Sequence, residues 1–457
     1  MTKRLCAVDR RLIRSGSSDV VAESLAELSR FFPRDRWLAS ANVYAHNAVA
    51  RIKNDVERAK RPPVDRDLRH YIAASTVTHC ADGWSFIGRS IDSALRGDIG
   101  TCCHLAYYAE LRAAASLLAC EGIGVFDMYH FVVDAQGKCG RFSERRGTHK
   151  QMWLALSYWM ELQNSKDLLA NIVAPGRVPI QALLSQFGHE TPAADLVLNK
   201  WLKQWGLDLY RLHHDRAIRN VVSYRPTALL LASGESDVSR DVQRIASFWR
   251  LLEPRETPFE ALDRAVTFSG SVELFVGQHG ILPSQAPETY SAAVDYMLGH
   301  VELPSEAWAT DMQHYLVESA HGGAIPSLLE EAALSDVAGA SGQHLQVIAR
   351  ALLLLRLATG ACAGLLEAAN VDRESLRFWW RTLGFGKGLW PTQDFDGDFG
   401  DLWSDIDEEL ARLTDWAAAE QRTILALRAL PSQPVGLEPP VSLLGSLERA
   451  LLWGIAL

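Results

Sequence analysis

The sequence predicts an all-α protein built as a multi-helix bundle. Apolar residues recur at three- and four-residue spacing along most of the chain, as in Leu25, Leu28 and Phe32, which is the period of a helix with one buried face. Alternating β-branched runs bounded by turns are nearly absent, and the best strand candidates, 131–133 and 268–276, are short. The sequence therefore predicts at most a minor hairpin beside the helices.

The composition is that of an ordinary globular chain with two or three domains. Its 457 residues are 48% hydrophobic and 22% charged, and the formal net charge is −9. These values exclude a disordered chain, a collagen and a disulfide miniprotein, and they exclude a polycation that holds nucleic acid by bulk charge. The seven cysteines lack C-x-x-C spacing and fall mostly in helical patterns, so we expect reduced, buried thiols of a cytoplasmic protein.

We expect neither a secretory signal nor a membrane segment. The basic N-terminus is followed by Asp9 and Arg10 rather than by an uninterrupted apolar stretch. The most membrane-like segment, 347–366, contains Arg350 and Arg356 and is rich in Ala and Gly, which favours close packing between helices over a membrane span.

Proline positions and charge divide the chain into three predicted parts. Arg61-Pro62-Pro63 ends one helical region, because proline lacks a backbone donor and restricts the residue before it. Residues 1–70 carry 15 basic and 9 acidic side chains, whereas the remainder is acidic. We predict a basic N-terminal helical segment over 1–62, a helical domain over 63–235 and a C-terminal helical domain over 236–457.

A helical hairpin is predicted in the second part. One helical pattern runs from about Leu68 to Leu95, and another runs from near Thr101 to Cys120. The polar residues set among Ala, Leu and Tyr in these helices are Asp82, Arg89, His104, Glu110 and Arg112. Either they form a charged network between the helices, or Glu110 and Arg112 face solvent or make one structural salt bridge.

A basic stretch over 208–226 stands out from the acidic remainder of the chain. Its basic residues are Arg211, His213, His214, Arg216, Arg219 and Arg225. Asp215 lies four residues from both Arg211 and Arg219, so on a helix its carboxylate can pair with either one in a surface ion ladder. Alternatively, these guanidiniums converge on a phosphate or carboxylate, for which arginine is well shaped.

The hairpin followed by this stretch resembles the HEPN superfamily, the small helical domains of toxin–antitoxin, CRISPR-associated and anti-phage systems. In those domains an Arg, usually followed by a polar residue such as Asn, precedes a His by four intervening residues, and paired domains form a metal-independent RNase site. Arg219 and Asn220 match this motif, but Tyr224 stands where the family has His. The resemblance spans about 66–230 and implies a HEPN-like domain over 63–235.

The resemblance, together with the His that the motif lacks, implies a non-catalytic or partner-dependent subunit of a prokaryotic defence-type assembly. Such a subunit would act as a scaffold or sensor. Tyrosine, with a pKa of about 10, is a poor general base at neutral pH. Histidine, with a pKa of about 6.5, suits that role. An alternative hypothesis is an endoribonuclease in which Arg219 stabilises the scissile phosphate, Asn220 positions it and Tyr224 adds a hydrogen bond. The nucleic-acid-binding residues would then be Arg211, His214, Arg216 and Arg225. A third hypothesis is that the chain is an unrelated helical protein-interaction module.

A protein partner or a homodimer is expected, because HEPN sites are usually composite, and RNA or DNA is the expected ligand of the basic patch. No cofactor is expected, since phosphate-binding glycine motifs are absent. No metal is expected either, because His213-His214 lacks a complete ligand set and the acidic loop 394–401 lacks the Gly and Glu of a calcium loop.

Fourteen tryptophans predict core packing or, alternatively, a partner-binding face.

Overall fold

The computed structural model confirms the all-α class. It describes residues 4–187, 209–224, 238–322, 326–334, 342–372, 374–386, 401–420, 447 and 449–456. These residues form seventeen α-helices and one small antiparallel sheet. The acidic loop 394–400, Trp390 and Arg225 lie outside the described residues, and so does the side chain of Trp416.

The helices follow one another closely along the chain. Those of the first half are Ala7–Arg14 (α1), Ser18–Ser29 (α2), Ala48–Lys53 (α3), Asp65–Leu95 (α4), Ile99–Cys120 (α5), Thr148–Trp159 (α6), Gln163–Ile172 (α7), Ile180–Phe187 (α8) and Leu209–Tyr224 (α9). Those of the second half are Val238–Arg250 (α10), Glu260–His279 (α11), Pro287–Gly299 (α12), Glu306–Gly322 (α13), Ser327–Ala333 (α14), Gln343–Ala368 (α15), Asp401–Glu420 (α16) and Arg449–Ala456 (α17). Short 3₁₀ turns span Phe32–Arg34, Pro175–Arg177 and Pro283–Gln285, and π turns span Asn54–Arg58 and Trp379–Gly384.

The sheet is a three-stranded meander of Ile123–Phe126 (β1), Tyr129–Val133 (β2) and Cys139–Arg141 (β3). Ile123 pairs with Val132 across the first two strands, and Val133 pairs with Cys139 across the second and third. The predicted strand at 131–133 is therefore confirmed. The predicted strand at 268–276 is wrong, because these residues lie inside α11, where their apolar side chains continue a helical stripe that nine residues alone do not reveal.

The predicted hairpin is confirmed as α4 and α5. Gly97 supplies the left-handed backbone conformation of the connection, with φ of 72°, and Asp98 caps α5 by accepting from the Thr101 amide at 3.1 Å. Helix α15 packs along both helices of the hairpin. A side chain at Gly83 of α4 would lie 2.6 Å from Leu355 of α15, so the close approach of these two helices depends on this glycine.

Helix α15 is the central element of the core. It is long and apolar enough to cross a membrane, but 83% of its apolar window is buried within the structure, as in a core helix. The same buried cluster extends from Leu5 to Ala450. It crosses both predicted domain boundaries, at 62 and at 235, and the three-part division stays a prediction.

Cysteines and tryptophans mostly fill this core. All seven cysteines are free thiols, and five of them are buried. Trp379 and Trp380 are also buried, and Trp379 packs edge-on against Trp37 with 5.8 Å between ring centroids. Core packing is therefore the role of these two tryptophans.

A buried ion pair joins α9 to α15. Arg350 donates through Nη2 to Oδ1 of Asp215 at 2.6 Å and through Nε to Oδ2 at 2.8 Å. Glu110 of α5 completes the group, with Oε1 3.8 Å from the Arg350 Nε. The expected pairing of Asp215 with Arg211 or Arg219 is therefore wrong, because the guanidinium of a helix distant in sequence reaches this carboxylate in bidentate geometry.

The polar residues of the hairpin separate into different environments. Glu110 is fully buried, whereas Arg112 is half-buried and lies 3.7 Å from Asp82 through its Nε. Burial, together with the negative charge of Asp215, raises the pKa of Glu110 well above its usual value. Burial alone would raise the pKa of Asp215, but the charge and hydrogen bonds of Arg350 hold it below its usual value. At neutral pH the group therefore holds one carboxylate, one neutral carboxyl and one guanidinium.

Replacing Arg350 by Met is expected to lower the free energy of unfolding by about 3–5 kcal/mol, because it leaves the Asp215 carboxylate buried without a cation. Urea unfolding followed by circular dichroism measures this change. The double variant Arg350→Met/Asp215→Leu is the control and should recover much of the loss. An unchanged urea midpoint in Arg350→Met would show that the pair does not constrain the fold.

Replacing Glu110 by Gln is expected to stabilise the protein at pH 7. The raised pKa of Glu110 means that the folded chain keeps a proton that the unfolded chain releases above about pH 4.5. Wild-type stability therefore falls as pH rises from there, and the amide avoids this loss. Urea midpoints compared at pH 4 and pH 7 should show an advantage for Glu110→Gln that grows with pH; a constant difference would contradict the assignment of a neutral Glu110.

Candidate functional site

Helices α5, α6 and α9 meet at a cluster of polar and aromatic side chains, which we call the Arg219 cluster. Its members are His104, Tyr107, Tyr108, His149, Arg216, Arg219, Asn220 and Ser223. Tyr107 is fully buried and Ser223 is exposed, while the others are half-buried. The cluster thus runs from the core to the surface.

Successive turns of α9 contact successive turns of α5. Asp215 lies beside Glu110, Arg219 reaches Tyr108, and Ser223 reaches His104. Positions four residues apart share one face of a helix, so these three residues of α9 form a single stripe. Because residue numbers fall on α5 as they rise on α9, the two helices are antiparallel.

Arg219 lies at the centre of the cluster. Its Nη2 donates to the Tyr108 hydroxyl at 2.7 Å and its Nη1 donates to Oδ1 of Asn220 at 2.8 Å. The guanidinium carbon lies 5.4 Å from the Tyr108 ring centroid and 5.8 Å from that of Tyr107. Within the described part of the chain no carboxylate forms an ion pair with Arg219, and its buried Nε has no hydrogen-bond partner. Among the described residues, Arg219 is therefore held by neutral oxygens and not by a carboxylate.

Two imidazoles flank this guanidinium. The Nδ1 of His104 lies 2.9 Å from Oγ of Ser223, and the Nδ1 of His149 lies 2.8 Å from the Tyr107 hydroxyl. The ring centroids of His104 and His149 lie 5.0 Å and 6.2 Å from that of Tyr108. A hydroxyl can accept the Nδ1 proton, which leaves a lone pair on Nε2.

The surroundings keep both imidazoles neutral. Burial, followed by the charge of Arg219, lowers the pKa of His104. Burial, followed by the charges of Arg219 and Arg216, lowers the pKa of His149. At neutral pH the cluster therefore presents two proton acceptors beside a fixed positive charge, which is an arrangement suited to proton transfer at a bound phosphate.

The predicted site residues divide between this cluster and other places. Arg219 and Asn220 are brought together by their side-chain hydrogen bond, and Arg216 lies close enough to His149 to lower its pKa. Arg211 instead donates to the Ala332 carbonyl at 2.9 Å, and the Nδ1 of His214 lies 3.9 Å from the buried Asp215.

The structure describes the backbone of Tyr224, the last residue of α9, but not its side chain, and Arg225 lies outside the described residues. Their predicted roles remain predictions.

Sequence reasoning missed most of the aromatic and imidazole partners. His104 stood out as a polar residue within the hairpin, but nothing placed it beside Ser223, 119 residues later. His149 is the second residue of α6, between Thr148 and Lys150, and belongs to no motif. The only available signal was the order His104, Tyr107, Tyr108, which places three hydrogen-bonding rings on about one turn of α5.

Comparisons with protein-family models, with curated proteins and with solved structures found no match to this chain. The HEPN resemblance therefore stays a prediction.

Replacing Arg219 by Gln is expected to raise the pKa values of His104 and His149, because it removes a positive charge that disfavours their protonated forms. NMR titration of the histidine ring protons measures these values. His213 is the internal control, since burial, Arg216 and Lys150 lower its pKa without Arg219. Unchanged titration of all three rings would mean that Arg219 is not coupled to the two imidazoles.

Proposed function

We propose that this chain is a metal-independent endoribonuclease whose active site is the Arg219 cluster. The observation that carries the proposal is the placement of two neutral imidazoles, from α5 and α6, around a guanidinium with no carboxylate partner among the described residues. Histidine is the usual side chain for proton transfer near neutral pH, and arginine binds phosphate oxygens in forked geometry.

The proposed reaction uses the 2′-hydroxyl of RNA. One imidazole, through Nε2, removes the 2′-hydroxyl proton as the 2′ oxygen bonds to phosphorus. The bond from phosphorus to the 5′ oxygen breaks, and the other imidazole, in its protonated form, gives that oxygen a proton. The products are a 2′,3′-cyclic phosphate and a 5′-hydroxyl, and Arg219 stabilises the charge on the phosphate oxygens.

This proposal replaces the role that the sequence suggested for Tyr224. His104 and His149 come from other helices and supply the proton acceptors that the Arg-Asn motif lacks. Asn220 holds Arg219 through its side-chain oxygen and is a positioning residue. The free cysteines add a cytoplasmic location to the proposal, and the HEPN resemblance adds a homodimer or protein partner and a role in prokaryotic defence.

The test is cleavage of a mixed pool of end-labelled RNAs by the purified chain in EDTA. Arg219→Ala should lower the rate by roughly 10²–10³-fold, as loss of a donor to a developing oxyanion does. His104→Asn and His149→Asn should each lower it by roughly 10²–10⁴-fold. His300→Asn is the matched control, because this imidazole stacks on Tyr296 at α12, away from the cluster. Substrates with a 2′-deoxy residue at the cut should not be cleaved.

Equal cleavage by the wild type and Arg219→Ala would show that the activity belongs to another site or to a contaminant. If the wild type does not cleave RNA at any pH, the endoribonuclease proposal is wrong. The non-catalytic or partner-dependent subunit and the unrelated helical protein-interaction module would then be the two remaining interpretations.

The rate should follow a bell-shaped pH profile with its maximum below pH 6.5. The reaction needs one neutral and one protonated imidazole, and both have pKa values lowered from the usual 6.5. Below the lower pKa the base is protonated, and above the higher pKa the acid is lost. Initial rates from pH 4 to pH 8 measure the profile, and a maximum above pH 7 would contradict these roles.

A further inference from the structure

An exposed cation and a half-buried aromatic ring extend the Arg219 cluster along α4. Phe86 of α4 stacks on Tyr108 of α5, with ring centroids 5.6 Å apart and planes inclined by 29°. The guanidinium carbon of Arg89, one turn further along α4, lies 4.7 Å from the centre of the Phe86 ring. Arg89, Phe86, Tyr108 and Arg219 therefore form one continuous path, which we call the Phe86 path.

The Phe86 path is open to a ligand at its outer end. Arg89 is exposed and Phe86 is half-buried. Arg89 donates its Nε to the Ser85 carbonyl at 3.2 Å, and no carboxylate of the described residues lies within ion-pair distance of it. The acidic residues near Arg89 on α4 contact other arginines: Asp82, two turns before it, lies 3.7 Å from Arg112, and Asp92, three residues after it, pairs with Arg96 at 2.8 Å. Both ends of the path thus carry a guanidinium without an acidic partner in the described structure, and an aromatic surface lies between them.

This pattern matches the chemistry of an unpaired nucleotide. Bases stack on aromatic side chains and on guanidinium planes, and phosphates bind arginine. Stacking requires a base that has left its helix, since both faces of a base inside a duplex are covered. A peptide would find the same aromatic surface, but two arginines without an acidic partner among the described residues, one at each end of the stacked Phe86 and Tyr108 rings, favour a polyanion.

We propose that Phe86 and Arg89 form a base-binding subsite for a nucleotide next to the scissile phosphate, which makes single-stranded RNA the substrate. This inference rests on the endoribonuclease function proposed above. The base takes the face of Phe86 that the exposed Arg89 guanidinium covers in the free protein, and Arg89 moves off the ring to bind the phosphate beyond it. Phe86 and Arg89 take no part in proton transfer and set the strandedness of the substrate.

The test measures binding of the full chain to a single-stranded RNA made uncleavable by 2′-deoxy substitution, followed by fluorescence anisotropy. Phe86→Leu should weaken binding roughly 5- to 100-fold, which is the range for losing one stacked base. Phe86→Trp should restore it, because the larger ring still stacks. Arg89→Gln should reduce the slope of log affinity against log salt by about 0.7, the contribution of one phosphate contact in a single strand.

Controls separate this subsite from general effects on folding. Tyr296→Leu removes an exposed aromatic ring at α12, which stacks on His300, and this variant should bind RNA as the wild type does. Thermal unfolding of each variant checks that Phe86→Leu remains folded. A duplex of the same sequence should bind at least tenfold more weakly than the single strand.

The inference and the proposed function fail in different ways. Wild-type affinity in both Phe86→Leu and Arg89→Gln, or equal binding of duplex and single strand, overturns the subsite even if the protein cleaves RNA. Preferential binding of an aromatic-rich neutral peptide over RNA also overturns it. Phe86-dependent binding of single strands without any cleavage would support the subsite and overturn the endoribonuclease.

Discussion

The buried pair of Asp215 and Arg350 fixes how α9 lies on the rest of the molecule. Two hydrogen bonds in bidentate geometry hold the carboxylate of one helix against the guanidinium of another, in a place where neither group contacts water. Since an unpaired charge there is costly, α9 cannot rotate about its axis or slide along α5 without losing the pair. The positions of Arg219 and Ser223, one and two turns further along, follow from this restraint.

The environment along the stripe changes from the core to the surface. At Asp215 each charge has a partner inside the protein, and the neighbouring Glu110 avoids a second negative charge by keeping its proton. At Arg219 the partners are a tyrosine hydroxyl and an amide oxygen, which satisfy hydrogen bonds without neutralising the charge. One turn of α9 therefore separates a charge with an oppositely charged partner from an arginine whose described partners are neutral.

In the proposed active site, the proton acceptors come from outside the Arg-Asn motif. His104 belongs to the hairpin and His149 lies in the first turn of the helix after the sheet, and both imidazoles pack close to the Tyr108 ring. Fixed cations lower their proton affinity, which suits bases that act next to a bound phosphate. Rigid helices hold all of these groups, as a preorganised site requires.

The helical class, the hairpin of α4 and α5 and the prominence of Arg219 and Asn220 were predictable from the amino-acid sequence. These features depend on local periodicity, on a glycine turn and on a short motif, each of which is encoded within a few residues. The pairing of Asp215 with Arg350, rather than with an arginine on its own helix, and the position of His149 near Arg219 emerge only from the packing of the helices. Such pairings join residues separated by as many as 135 positions, and helix periodicity carries no information about which helices become neighbours. The segment 268–276 shows the same limit, because its own residues fit a strand and only the surrounding helix decides its conformation.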